Sequence, residues 1–240
     1  MLPQWALPPT ITEHSTRQGT VRVVRDDLLP GGSKRRFLSP LLGDLPQQEF
    51  VFGGPAEGYA QVGLGWAALD TGKQATFVIA ARQNEHELTK EGRRLGVNYI
   101  EVRPGYLTVV QSRAKAYAQE VGARFLPLGF AAPDVEAAAL VHIGRLVADV
   151  DPPPQVWCVA GSGFLSRVLQ QVWPEAEHIA VRIGMEPDAG HAKILEAAEA
   201  FARPADRPPP FPSCAHYDAK AWRFIEEHAI PGALFWNVGA

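Results

Sequence analysis

Lys34 lies in the run Gly31-Gly32-Ser33-Lys34-Arg35-Arg36, after the apolar segment Val21-Val24 and at the start of a helical pattern. Two glycines allow backbone conformations closed to other residues and let a ligand approach closely. A lysine in the first turn of a helix sits at the positive end of its dipole, which disfavours the ammonium form. A Schiff-base lysine needs that help, because an amine of pKa about 10.4 offers little free base near neutral pH. On spacing alone the same run reads first as a solvated basic cluster.

Two further segments repeat the passage from strand through glycine turn to helix. Gln155-Val156-Trp157-Cys158-Val159-Ala160 leads into Gly161-Ser162-Gly163, and Phe164-Leu165 open the next helical pattern. Successive amides at a helix N-terminus, with a serine hydroxyl beside them, form an anion site. Neither nucleotide-loop pattern is completed, so a monophosphate fits better than a nucleotide, although Gly-Ser-Gly also makes ordinary turns. The third segment is Phe52-Gly53-Gly54-Pro55-Ala56-Glu57-Gly58-Tyr59-Ala60-Gln61. Such turns line the ligand crevice of open α/β sheets, and Tyr59 and Gln61 could reach a ligand there. Equally, the glycines could serve only close strand–helix packing.

Other polar residues carry less. The seven histidines have neither His-x-His nor His-Glu-x-x-His spacing, so no metal site is expected. His86 and Thr89 read as residues at a helix start. Asp218 reads as the N-cap of an amphipathic helix, and Tyr217 beside it either packs in the core or lines a pocket as an acid or base. Trp236 and Asn237 read as packing in the last strand.

These turns must be held by regular elements, and the chain supplies them in alternation. Short apolar runs at Val21-Val24, Phe50-Phe52, Thr76-Ala80, Asn98-Val102, Arg124-Pro127, Val156-Val159, Ile179-Ile183 and Leu234-Val238 read as strands. Helical patterns fall near Gly58-Leu69, Glu87-Leu95, Leu107-Val121, Asp134-Ala148, Leu165-Val172, Ala189-Phe201 and Ala219-His228. That order predicts an α/β fold with doubly wound, mostly parallel sheets. Pro208-Pro209-Pro210 and its neighbours predict an extended loop. With 46% hydrophobic and 20% charged residues, the 240-residue chain holds enough apolar surface for a core. A net charge of −3 gives no global pull toward nucleic acid, and two cysteines fit a reduced, cytoplasmic setting. The start of the chain does not read as a signal peptide, and no apolar run reaches the roughly 18 residues of a membrane span.

Taken together, Arg25-Asp26-Asp27, Gly31-Gly32-Ser33-Lys34-Arg35-Arg36, Gly53-Gly54-Pro55 and Gly161-Ser162-Gly163 resemble, in that order, fold type II of the pyridoxal-phosphate enzymes. This is the tryptophan synthase β family. The pattern is most similar to aminocyclopropane-carboxylate deaminase and D-cysteine desulfhydrase. The resemblance implies two lobes, residues 1–48 plus 128–240 binding the cofactor and 49–127 binding substrate. It implies that Lys34 holds the cofactor aldehyde and that the backbone from Gly161 through Ser162, Gly163, Phe164 and Leu165 holds the phosphate. It also implies that Ser213, with Cys214 behind it, faces the pyridine nitrogen. The turn of Gly54, Pro55, Ala56, Glu57 and Gly58, with Tyr59 and Gln61, would receive the substrate carboxylate. The usual Ser-Asn-His of that turn is replaced here, and Phe164 stands where a threonine is common.

The implied activity is a lyase that breaks a bond at the α-carbon of an amino acid, with pyridoxal 5'-phosphate on Lys34 and Tyr217 as a further catalytic candidate. By the same resemblance the protein is a homodimer. A second reading keeps the cofactor and changes the substrate. Short relatives are similar to enzymes of phage pathways that hypermodify thymine in DNA, where an amino acid attached to the base is decarboxylated. Lys34-Arg35-Arg36 and Arg93-Arg94 are compatible with such a DNA-linked substrate. A third reading is a non-catalytic phospho-ligand-binding protein in which Lys34 only pairs the phosphate.

Overall fold

A computed structural model describes residues 2–239. In chain order the elements begin β1 (Ile11–Ser15), β2 (Thr20–Arg25), α1 (Gly32–Asp44), β3 (Glu49–Gly53), α2 (Ala60–Thr71), β4 (Gln74–Ala80), α3 (Glu87–Arg94) and β5 (Asn98–Val102). They continue α4 (Leu107–Val121), β6 (Arg124–Leu126), α5 (Pro133–Leu146), β7 (Gln155–Ala160), α6 (Phe164–Val172), β8 (Glu177–Arg182), β9 (Lys193–Glu196), α7 (Trp222–His228) and β10 (Leu234–Asn237). The chain forms two compact units, one of residues up to 33 with those from 139 onward, the other of residues 34–138. The lobes expected from the sequence place these divisions at 48/49 and 127/128.

The first unit is built on a six-stranded sheet in the order β1-β2-β10-β7-β8-β9. Only β1 runs antiparallel to its neighbour; β2, β10, β7, β8 and β9 are parallel. Parallel pairing brings the carboxyl ends of β2, β10 and β7 to one edge, where an open α/β sheet places its ligand crevice. All six residues of β7 are buried, as a central strand covered on both faces requires. Val23, Trp157, Val181, Phe235, Trp222 and Ile225 lie in one apolar cluster of this unit.

The second unit carries a four-stranded parallel sheet ordered β5-β4-β3-β6. Val51 and Val78 pack on Val110, Ala114 and Ala118 of α4. Across the sheet, the rings of Phe52 and Phe77 stack with centroids 5.2 Å apart.

Eight of the strands fall where the sequence predicts them. The predicted helix Ala189–Phe201 does not form: Lys193–Glu196 is instead the edge strand β9, paired with Ile179–Arg182. Ala and Glu favour helix, but intrinsic propensity is a small term, and pairing to β8 outweighs it. Strand β1 was not anticipated, because its Thr, Glu, His and Ser residues form a polar edge without an apolar alternation. His86 starts α3 as read, its Nδ1 accepting the Leu88 N–H at 3.2 Å. Asp218 is not the cap expected of it. It opens a short 3-10 turn, Asp218–Ala221, with no side-chain cap, and is buried there. Among the described residues no helix is long and apolar enough to cross a membrane.

Candidate active site

The turn ahead of Lys34 is fixed before the lysine is reached. From the end of β2 the chain makes a 3-10 turn at Asp26–Leu28, then bends through Gly31 and Gly32 at φ +89° and +63°. Residues with a Cβ avoid that region, so the glycines set the approach to α1. Asp26 is fully buried and accepts from Ser33 Oγ at 2.6 Å and from the Trp236 indole at 3.1 Å. The indole also donates to Ser33 Oγ at 2.8 Å, and the Ser33 N–H donates to Val238 O at 3.0 Å. Trp236 therefore does more than pack: it ties the first turn of α1 to the end of β10.

Lys34 is the next residue, half-buried, with Nζ 5.9 Å from the centre of the Tyr59 ring. Its neighbours are not a solvated cluster. Arg35 and Arg36 are 6% and 4% exposed. Arg35 pairs with Asp70 through two bonds of 2.8 and 2.6 Å and lies over the Trp66 ring at 4.5 Å. Arg93 and Arg94 pair with Glu85 and Glu91. Of the basic residues expected to meet a polyanion, Arg35 and Arg36 thus lie in the interior, and Arg93 and Arg94 have acidic partners.

At the end of β7, Gly161 and Ser162 are partly exposed, while Gly163 and Phe164 are buried. Gly163 has φ +88°, and a Cβ there would collide with the Asp188 carbonyl. The Arg167 N–H is the first in α6 to reach a carbonyl of this turn, that of Gly163 at 3.1 Å. The amides of Phe164, Leu165 and Ser166 precede any i−4 partner, and the first turn holds no acidic residue. The Gly161 N–H is committed, donating to Tyr217 Oη at 2.7 Å. Ser162 Oγ accepts only a long bond of 3.4 Å from the Phe164 N–H.

Burial, then the nearby Asp218 carboxylate, push the Tyr217 phenol well above its ordinary range. It therefore keeps its hydrogen. Beneath it, burial pushes the Cys158 thiol up to about 12. Among the described residues no acceptor faces the hydroxyl hydrogens of Tyr217 or Ser162. Two such hydroxyls at a helix N-terminus fit a phosphate group.

Ser213 lies at the same sheet edge, its Oγ donating to Asn237 Oδ1 at 2.7 Å. Asn237 Nδ2 donates to Asp27 Oδ1 at 2.7 Å and to Pro212 O at 2.9 Å. Arg25 grips the same Asp27 with Nε and Nη2 at 2.8 and 2.7 Å. Asn237, read as packing, is thus the centre of a polar chain from Arg25 to Ser213. Cys214 follows Ser213, its N–H donating to Gly239 O at 2.9 Å.

In the second unit, β3 passes into a turn closed by the Gly58 N–H on Pro55 O at 2.9 Å. Gln61 does not point to a ligand as expected. It is fully buried, with Nε2 donating to Ala56 O and Gly58 O at 2.6 and 3.0 Å, and Oε1 accepting from Tyr99 Oη at 2.9 Å. It shapes the turn from beneath. Glu57, on the turn itself, pairs with Arg82 at 2.5 Å. Among the described residues no cluster of three His, Cys, Asp or Glu could hold a metal ion.

No family model matches the sequence, and no curated protein matches it. Solved structures do. The structure of an ACC deaminase homologue aligns with 100% of this chain and 95% of its own at TM-score 0.77 and 16% identity. O-ureido-L-serine synthase aligns over 100% and 92% at TM-score 0.74 and 16% identity. Threonine deaminase isoform 2 from Solanum lycopersicum aligns over 92% and 74% at TM-score 0.70 and 13% identity. The chain has the fold of the type II pyridoxal-phosphate enzymes. At these identities the likeness is one of fold.

Within the type II fold, sequence reading found the three glycine turns and missed what supports them. Asp26, Ser33 and Trp236, like Asp27 and Asn237, meet across 203 to 210 positions of sequence. One signal was available. An indole N–H in a strand this apolar needs a buried acceptor, and Asp26 directly follows a strand.

Proposed function

We propose that this chain is a pyridoxal-phosphate-dependent lyase that breaks a bond at the α-carbon of an amino-acid substrate, with Lys34 holding the cofactor. The observation that carries the reading is the site of Lys34. It follows a glycine turn that Asp26, Ser33 and Trp236 lock in place, in the first turn of α1. A lysine that only paired a phosphate would not need so fixed an approach. We assign cofactor binding to the lobe of residues 1–48 and 128–240, and substrate binding to 49–127.

The residues fit the cofactor's parts. The backbone from Gly161 to Leu165 and the hydroxyls of Ser162 and Tyr217 would hold the phosphate, and Ser213 would meet the ring. When bound, pyridoxal phosphate supplies a conjugated ring that accepts electrons from the broken bond. Lys34 Nζ would hold the cofactor's aldehyde and, as a free amine, would take up and return a proton at its own nitrogen. The backbone of Gly54, Pro55, Ala56 and Gly58 orients the substrate carboxylate, beside Glu57 and Tyr59, on a turn that Gln61 keeps rigid. One of the structural relatives is named as a threonine deaminase, whose substrate carries a Cα proton, which favours loss of that proton followed by elimination. The burial of Arg35 and Arg36 takes two of the five basic residues away from a DNA-linked substrate.

Adding pyridoxal phosphate to the protein is expected to give a visible absorption band that Lys34→Ala abolishes. Free amino acids should then release ammonia. A protein that stays colourless overturns the reading in favour of a simple phospho-ligand binder, and release of carbon dioxide reassigns the bond.

A further inference from the structure

At the amino ends of β7, β8 and β9 a cavity of about 260 Å³ opens between Gln155, Glu177, Lys193 and His228. It lies at the edge of the sheet opposite the candidate active site. Gln155 starts β7 and Gly161 follows its end, roughly 20 Å of strand away. The floor is Ile179 and Leu195, with Trp157 fully buried beneath. The one indole hydrogen is spent on Gln155 Oε1 at 2.6 Å, so the floor has no donor left. Gln155 is held as well, its Oε1 accepting the Ile230 N–H at 3.3 Å and its Nε2 donating to Glu177 Oε2 at 2.7 Å. The rim is charged, and its charges do not meet. Lys193 stands opposite Ile179, and Glu177 lies two residues earlier on β8, so the two are diagonal neighbours over one floor. Arg182 and Glu196, opposite each other further along the same strands, pair at 3.5 Å. Lys193 and Glu177 form no such pair. Among the described residues the Lys193 ammonium and the His228 ring have no partner, and Glu177 keeps one carboxylate oxygen without one.

We propose that this cavity is a second ligand site, for a free amino acid with an apolar side chain. The ligand carboxylate meets Lys193 and His228, its ammonium meets Glu177, and its side chain lies on Leu195 and Ile179. Charge sets the class. A ligand that is only anionic would be opposed by Glu177, one that is only cationic by Lys193, and a neutral apolar one would leave both charges unused. A zwitterion answers both at once, and an apolar side chain suits a floor that offers no donor. Size agrees, since the cavity falls below the roughly 300–1,000 Å³ of pockets for larger ligands and takes a molecule on the scale of one amino acid. The site stands whether or not Lys34 carries a cofactor.

The test is titration calorimetry of the full chain with L-valine, L-leucine and L-phenylalanine in turn, with and without pyridoxal phosphate. At least one is expected to bind once per chain, with an affinity that Lys34→Ala leaves unchanged. Lys193→Ala and Glu177→Gln should each weaken it about tenfold, the effect of one lost charge-assisted contact. Both residues are exposed, and the glutamine still offers Gln155 an acceptor, so the variants should fold as the parent does. For leucine, the amine-free analogue isocaproate and the carboxylate-free leucinamide should bind about tenfold more weakly as well. If none of the three amino acids binds, the inference is overturned and the proposed function stands. Binding that survives both Lys193→Ala and Glu177→Gln, or analogues that bind as tightly as leucine, overturns it too. Binding that disappears in Lys34→Ala alone places the amino acid at the candidate active site, which overturns the second site and supports the proposed function.

Discussion

The turns at residues 31–33 and 161–163 are close analogues in sequence and opposites in hydrogen bonding. Each leaves the carboxyl end of a buried parallel strand, passes through glycine at positive φ, and opens a helix. The first is closed on itself. Ser33, Asp26 and Trp236 satisfy one another in the interior, so that nothing is left over for a ligand. The second is donor-rich. Its first helix amides precede any i−4 carbonyl, and the hydroxyl hydrogens of Ser162 and Tyr217 point to no acceptor among the described residues. A turn that must deliver one lysine to a fixed place profits from being satisfied, and a turn that must receive an anion profits from being short of acceptors. On this view, changes in the first turn act mainly on stability and changes in the second act mainly on binding.

The largest stability effect should come from Asp26→Ala. It leaves the buried Ser33 hydroxyl without its acceptor and the Trp236 indole with Ser33 Oγ alone, at about 1–3 kcal/mol for the unsatisfied group. Urea unfolding should show a loss of about 2 kcal/mol, with cofactor affinity falling only because the fold is weaker. A loss below about 0.5 kcal/mol would mean the network holds nothing, and the contrast between the turns would collapse. Gly163→Ala comes next, through backbone strain of about 1–3 kcal/mol and collision with the Asp188 carbonyl. It is the one change in the second turn expected to reduce stability and binding together.

Ser162→Ala sharpens the distinction. Its hydroxyl is partly exposed and makes a single long contact, so unfolding should be unchanged within about 0.5 kcal/mol. A hydrogen bond to an anionic phosphate contributes about 1.5 kcal/mol, so the dissociation constant for pyridoxal phosphate should rise roughly tenfold. Titration of the visible band measures it. An unchanged constant places the phosphate elsewhere.

The two turns also show what a sequence displays and what it hides. Their glycines and the strand-to-helix passage are local features, legible in a few adjacent letters. The contrast between them is not local. Whether a serine beside a glycine is satisfied depends on Trp236, 203 positions from Ser33, or on Tyr217, 56 positions from Gly161. The same holds for Arg35 and Arg36. Adjacent charges read as a solvated cluster until Asp70 and Trp66, carried by another helix, supply partners. The expected helix near Ala189–Phe201 gave way to β9 for the related reason that an edge strand is defined by its neighbour, and Lys193–Glu196 carries little of a strand pattern by itself.

The smallest effect should come from Tyr217→Phe, and pH gives it a signature. The change removes the acceptor of the Gly161 N–H, at a cost of about 1 kcal/mol near neutral pH. In the folded chain burial holds the phenol above its unfolded pKa of about 10. As pH rises past about 10 the unfolded chain releases this proton while the folded chain keeps it, so stability falls with rising pH. Tyr99, raised chiefly by burial as well, adds the same trend. Tyr217→Phe should therefore be less stable than the parent near neutrality and lose less on going to alkaline pH. Urea midpoints at about pH 9 and about pH 10.5 compare the two slopes across the titration. Equal slopes would show that the phenol is open to solvent. It would then give up its hydrogen at alkaline pH, and the second turn would lose one of the two hydroxyl donors that set it apart from the first.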